Sequence, residues 1–175
     1  MNEHSLYVFN KLIEDQFTYG ATKYAKDGAR ESTDLLFDTF GCNWLYGTMA
    51  KYVYRYGNVK REKDLLKIAT YAYLLWLKRG FYELEHLGAE SPLDTNIKLK
   101  TENFKKFTDY CSKHKLNSDM SNTCSNLILS KLEFFSRIKF ELITAIDLYD
   151  IYLLCFIEYI NSGFINNPGA DADTG

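Results

Sequence analysis

Only two prolines, Pro92 and Pro168, fall within the 175 residues of this chain. Proline is the residue that a helix interior or a central strand tolerates least, so its scarcity leaves long runs whose structure is decided by hydrophobic spacing. That spacing is helical. Over residues 5–26 the positions Leu6, Phe9, Leu12, Ile13, Phe17 and Tyr24 form a stripe at helical intervals, with Ser5 available as an N-cap and Gly28 as a stop. A short helix beginning near Glu31-Ser32-Thr33-Asp34 and ending at Gly41 follows. Residues 102–115 are amphipathic, with Phe104, Phe107 and Cys111 on one side. Residues 125–161 form a longer stretch with apolar side chains on more than one face, from Leu127 and Ile128 through Leu142 and Ile146 to Phe156 and Ile160. Hydrophobic residues make up 46% of the chain, enough for a sizeable core and too many for a disordered protein. The expected fold is an all-α helical bundle.

The most informative stretch is residues 51–79, KYVYRYGNVKREKDLLKIATYAYLLWLKR. Lys51 and Arg55 stand four apart, on one face of a helix that starts at Asn43 or Thr48, with Tyr52 and Tyr54 beside them and Trp44 placed to pack beneath. Gly57-Asn58-Val59 reads as a short link. A second helix over residues 60–85 then carries Lys60, Asp64, Lys67, Tyr71 and Lys78 on one face and Leu65, Leu66, Ala69, Ala72, Tyr73, Leu75, Trp76 and Leu77 on the other. Two helices joined so tightly should form an antiparallel αα-hairpin, bringing Lys51 and Arg55 to the first turns of the second helix, whose free N–H groups add to an anion site. Eight basic residues against Glu62 and Asp64 give this stretch a charge of +6 in a chain of net charge −2. Compact positive charge interleaved with aromatic rings suits an anion that carries a flat ring, which is to say a nucleotide. The bland reading is a solvated helix face on which Lys60 and Asp64 form an ordinary i, i+4 pair. Asp34 and Asp38, also four apart, are candidate ligands for Mg²⁺.

Residues 86–100, HLGAESPLDTNIKLK, have the composition of a connecting segment. The expected organisation is a helical nucleotide-binding core at 1–88, a connector at 89–100, a C-terminal helical segment at 101–165 and a disordered tail at 166–175. The broad apolar surface of residues 125–161 must be covered by the first half or by another copy of the chain, and a homo-oligomer built through these C-terminal helices is expected. The four cysteines, Cys42, Cys111, Cys124 and Cys155, contain no CxxC and read as reduced thiols. Cys111, His114 and Cys124 match no standard zinc spacing. The first residues carry acids where a signal peptide would be apolar, and no run is long enough to span a membrane, so no membrane association and a cytoplasmic location are expected. There is no GxxxxGK[ST], GxGxxG, GxSxG or HExxH, and His4, His86 and His114 sit in poor contexts for catalysis. A sequence pI near 5.9 argues against a nucleic-acid partner.

Two family resemblances emerge from these residues. Lys51-Tyr52-x-x-Arg55-x-Gly57, followed by Glu62-Lys63-Asp64-Leu65-x-Lys67 and Tyr71, resembles the KYxxRxG…EKDLxKAxxY core of the small nucleotide kinases of tailed phages. The resemblance covers roughly 30 residues. It implies transfer of a phosphoryl group from ATP, with Mg²⁺, to a deoxynucleoside monophosphate without a Walker loop, in an oligomer working in the host cytoplasm. Lys51 and Arg55 would hold phosphate, Asp64 would organise Mg²⁺ with Asp34 and Asp38 or orient the acceptor, and Lys67 would neutralise charge in the transition state. Lys23, Trp44, Tyr52, Lys60 and Tyr71 would complete the nucleotide site. The second resemblance rests on Tyr19-Gly20-Ala21-x-Lys23-Tyr24, Asn43-Trp44 and Asp64-Leu65-Leu66-Lys67-Ile68-Ala69-x-Tyr71-Ala72, which looks like the all-α dNTP pyrophosphohydrolases. That family binds Mg²⁺ through several helix-borne acids, and here Lys63 and Lys67 occupy two of those places, leaving Glu14, Asp15, Asp34 and Asp38 to supply the metal site. A reading from another class is a non-catalytic protein that sequesters a nucleotide or holds a partner.

Overall fold

The computed structural model describes residues 3–24, 32–79, 97–114 and 124–169, and all of their side chains except those of 20–24, 32–34 and 97–100. The described residues form seven α-helices and no strand: α1 (Glu3–Tyr24), α2 (Ser32–Phe40), α3 (Cys42–Asn58), α4 (Glu62–Lys78), α5 (Ile97–Lys113), α6 (Ser125–Phe135) and α7 (Ala145–Asn161), with 3₁₀ turns at Phe140–Leu142 and Phe164–Asn166. The all-α bundle is therefore as expected. Ser5 lies inside the first turns of α1 rather than capping it, and Gly28 is outside the described residues. Gly41 ends α2 with φ of 69°, a conformation that costs glycine nothing.

The hairpin forms, but its link sits later than the glycine suggested. α3 continues through Gly57 and Asn58, and Val59, Lys60 and Arg61 make the turn, with Val59 N–H bonded to Arg55 O at 3.0 Å and Arg61 N–H to Val59 O at 2.8 Å. Glycine punctuates a helix only where the chain needs a left-handed residue, and at position 57 it does not. Antiparallel packing is visible in the pairs that touch: Arg55 meets Asp64, Tyr52 meets Tyr71 and Trp44 also meets Tyr71, so partners recede in opposite directions along the two helices.

α4 is the centre of the molecule. Leu65, Leu66, Ala69, Ala72, Tyr73, Leu75, Trp76 and Leu77 are all buried, as the stripe predicts, but so are Ile68, Thr70 and Leu74 on its other sides. α3 covers one flank and α7 another. α7 also runs antiparallel to α4, since Trp76 Nε1 donates to Tyr149 OH at 3.1 Å while Tyr159 OH donates to Glu62 at 2.7 Å. α1 and α5 close the rest through an aromatic cluster. Phe9 packs on Tyr152, Phe156 and Tyr159, and Phe104 and Phe107 pack on Tyr73 and Tyr152. One contiguous hydrophobic cluster thus runs from α1 to α7 and joins residues on both sides of position 100.

The long stretch of residues 125–161 is broken rather than continuous, although no proline breaks it. α6 ends at Phe135, and a turn over residues 136–144 reverses the chain into α7. Two side chains from the first half donate to carbonyls of this break, one of which, Phe140 O, also accepts the Ile143 N–H at 3.2 Å. Tyr46 OH lies 2.6 Å from both Phe135 O and Ile138 O, and Arg79 Nη1 donates to Phe140 O at 3.5 Å and to Ile143 O. Thr144 and Asp147 then start α7 with a reciprocal capping box. The segment expected to be a tail is anchored where it begins. Gly163, at φ 78°, turns the chain out of α7, and Gly169 N–H donates to both carboxylate oxygens of Glu62 at 3.0 and 2.8 Å. Residues 170–175 lie outside the described ones. No helix of the described residues is long and apolar enough to cross a membrane.

Two substitutions test this account by urea denaturation. Trp76 is fully buried, so Trp76→Ala should cost about 3–5 kcal/mol. A Cβ at Gly57 would meet Leu129 and Glu133 at an ordinary 3.7 Å, so Gly57→Ala should stabilise by about 0.5–1 kcal/mol through helix propensity. Destabilisation would place residue 57 in a turn instead.

Candidate anion-binding site

Residues singled out around the hairpin lie along the half nearest its link, where Arg55 of α3 meets Asp64 of α4. On α3, successive turns present Trp44, Lys51, Tyr52 and Arg55. On α4, Asp64, Lys67 and Tyr71 follow at intervals of three and four and so share the stripe that faces α3. The Tyr52 and Tyr71 rings stack with centroids 5.8 Å apart and 27° between planes, and Trp44 meets Tyr71 edge-on at 6.1 Å. Two cations share the Tyr52 ring: Lys51 Nζ lies 4.6 Å and Arg55 Cζ 5.7 Å from its centroid. The ring quadrupole holds each cation there with about 0.5–1 kcal/mol.

The counter-charge is small. Arg55 Nε lies 3.6 Å from Asp64 Oδ1, within ion-pair range and just beyond a hydrogen bond. Among the described residues neither the Lys51 ammonium nor the Nη groups of Arg55 donates a hydrogen bond. Asp64 is 2% exposed, and its Oδ1 accepts no hydrogen bond. Lys67 and Tyr71 are half-buried one and two turns further along α4.

Other expected members sit elsewhere. Lys60 is exposed in the extended link and does not start α4, so its helical pairing with Asp64 does not form; Arg55 takes that place. The charge of +6 is not one patch. Lys78 and Arg79 lie at the far end of α4, roughly 24 Å away at 1.5 Å per residue. Lys78 is buried with Nζ 5.2 Å from the Phe37 ring, and Arg79 serves the 136–144 turn. The first turn of α4 carries buried Glu62 and Asp64, which already complement its positive end, so the helix terminus adds little to an anion site.

Among the described residues the metal candidates do not gather. Asp38 is exposed on α2, Lys23 and Asp34 have side chains outside the described residues, and Glu14 and Asp15 flank Lys11 at 3.4 and 3.5 Å on the surface of α1. Among the described residues no group of three or more His, Cys, Asp or Glu side chains is arranged to hold a metal ion. Cys111 is buried, with its thiol pushed well up by burial and by Asp150, while His114 Nε2 lies 2.7 Å from Asp150 Oδ1 and Cys124 is exposed.

Sequence reasoning missed a buried polar cluster at the same end of the hairpin. Tyr56 OH donates to Glu158 Oε2 at 2.5 Å and lies 3.2 Å from Ser162 Oγ, whereas Glu158 Oε1 accepts no hydrogen bond. Burial and the hydrogen bond to Glu158 push the Tyr56 phenol well up, so it remains a donor. One signal was available: Glu158 is a lone acid in the apolar run Cys155-Phe156-Ile157-Glu158-Tyr159-Ile160. No known protein family, curated protein or solved structure matches this chain.

Tyr56→Phe would leave both oxygens of a 1% exposed carboxylate without a donor. It should cost about 1.5–3 kcal/mol in thermal or chemical unfolding, the range for a hydrogen bond to a charged group.

Proposed function

We propose that this protein binds a deoxynucleotide at the linked end of the α3–α4 hairpin and transfers a phosphoryl group from ATP to a deoxynucleoside monophosphate. The observation that carries this reading is the pair of cations on one tyrosine ring, Lys51 and Arg55, whose only counter-charge among the described residues is one carboxylate beside one edge of the guanidinium. Like charges held this close gain most from an anion that bridges them, and the planar Arg fork suits phosphate oxygens. Stacked Tyr52 and Tyr71, with Trp44 at their edge, offer faces against which a base can pack.

In this reading Lys51 and Arg55 hold phosphate, and Lys67, one turn beyond Asp64, offsets negative charge that develops during transfer. Mg²⁺ enters on the phosphates of ATP, as this small cation prefers few protein ligands. Hydrolysis of a dNTP is the less supported reaction. The carboxylates it would have to recruit on α1, Glu14 and Asp15, are engaged with Lys11. Exposed Leu127, Phe134, Leu142 and Ile146 support assembly of copies through the C-terminal helices.

Incubating the protein with Mg²⁺ and each dNMP or dNTP, with and without ATP, tests the reaction. A dNDP that forms only from dNMP plus ATP is the expected product. A dNMP released from a dNTP alone would replace the kinase with a hydrolase, and nucleotide binding without turnover would leave a sequestering protein. Lys51→Ala and Arg55→Ala should each weaken nucleotide binding by about 1–3 kcal/mol in calorimetry while the protein stays folded. Unchanged affinity in both would remove this site from the reading.

A further inference from the structure

The carboxylate oxygen of Asp64 that accepts no hydrogen bond is the one that faces Arg55, at 3.6 Å from Nε. A divalent cation placed on that oxygen would sit against a guanidinium, so metal binding is a poor use for it. A hydroxyl or amine of a ligand would also have to displace Arg55, because Oδ1 is fully buried and the half-exposed Arg55 side chain lies against it. The chemistry available to Asp64 Oδ1 is therefore with Arg55 itself.

The guanidinium has two useful edges. Its Nε side is turned towards Asp64 and its plane lies near the Tyr52 ring, while among the described residues its Nη groups donate to nothing. A side chain drawn in on one edge and supported on one face has fewer orientations open to it, and less remains to be lost when an anion docks on the other edge. Lys51 Nζ, on the same ring, supplies a second point of contact. Such a two-point cationic site suits the several oxygens of a terminal phosphate.

We propose that Asp64 is a positioning residue: by holding the Nε edge of Arg55 it presents the Nη edge, together with Lys51, to the terminal phosphate of a nucleotide. This rests on the nucleotide reading above and assigns Asp64 a role outside metal binding. The opposite effect is the competing possibility, since a carboxylate beside Arg55 also cancels positive charge. Preorganisation outweighs cancellation here because the separation is already beyond a hydrogen bond, so Arg55 gives up little when it engages a ligand.

Calorimetric titration of the full chain with the four 2′-deoxynucleoside 5′-monophosphates, in wild type, Asp64→Asn, Arg55→Ala and the double variant, is the test. Asp64→Asn should weaken binding roughly tenfold when Arg55 is present and have no further effect when it is absent, a coupling typical of touching residues. Arg55→Lys, an exposed change with no risk to folding, keeps the charge but not the two-edged fork and should lose about as much as Arg55→Ala. Equal losses from Asp64→Asn in both backgrounds, tighter binding by Asp64→Asn, or full affinity in Arg55→Lys would each overturn the assignment. Failure of the wild type to bind any of the four would instead remove the nucleotide reading on which it stands.

Discussion

The structure depends on the burial of α4. A helix that is apolar on one side can lie on a surface, but one whose sides are nearly all buried has to run through the middle of a domain. Every other packing decision follows. α3 and α7 lie antiparallel along it, α1 and α5 fill the remaining aspect with aromatic rings, and the polar groups that α4 carries inward need partners within the protein. Thr70 returns its hydroxyl to Leu66 O at 2.8 Å, Glu62 takes the Tyr159 hydroxyl and the Gly169 amide, and Asp64 takes the approach of Arg55. Burying a charged group without such partners costs far more than any one of these contacts returns.

This constraint explains what periodicity could reveal. The buried face of α4 and the core positions Phe104, Phe107 and Cys111 were legible because each depends on spacing within a single helix, and the shortness of the link made the hairpin legible too; Arg55 was expected near the first turns of α4, but Asp64 was paired with Lys60 instead. The details that were not legible depend on partners far away in sequence. Gly57 and Asn58 look like a turn by composition, yet nothing at that point calls for a left-handed residue. The break between α6 and α7 has no local sign beyond Thr144 and Asp147; its carbonyls are met by Tyr46 and Arg79, side chains whose sequence context suggests only packing and charge. Likewise the basic residues of 51–79 read as one patch in a linear count, and the length of α4 divides them.

The candidate site occupies the end of the hairpin where two kinds of acid meet different fates. Glu62 points towards α7 and the C-terminal segment and is fully engaged. Asp64, two residues on, faces α3 and keeps one oxygen without a hydrogen bond. A rotation of about 200° between these neighbours separates a carboxylate engaged by α7 and the C-terminal segment from one that faces Arg55.

Because α7 covers a flank of α4 from the other end of the chain, the order of synthesis matters. Residues 79–144 lie between the end of α4 and the start of α7. At bacterial-to-eukaryotic elongation rates, roughly 3–13 s pass between the emergence of one and the other. During that interval the nascent hairpin exposes the apolar flank of α4 that α7 later buries, and neither the Tyr149 hydroxyl for Trp76 nor the Tyr159 hydroxyl for Glu62 yet exists. The half-made chain is thus a natural client for chaperones.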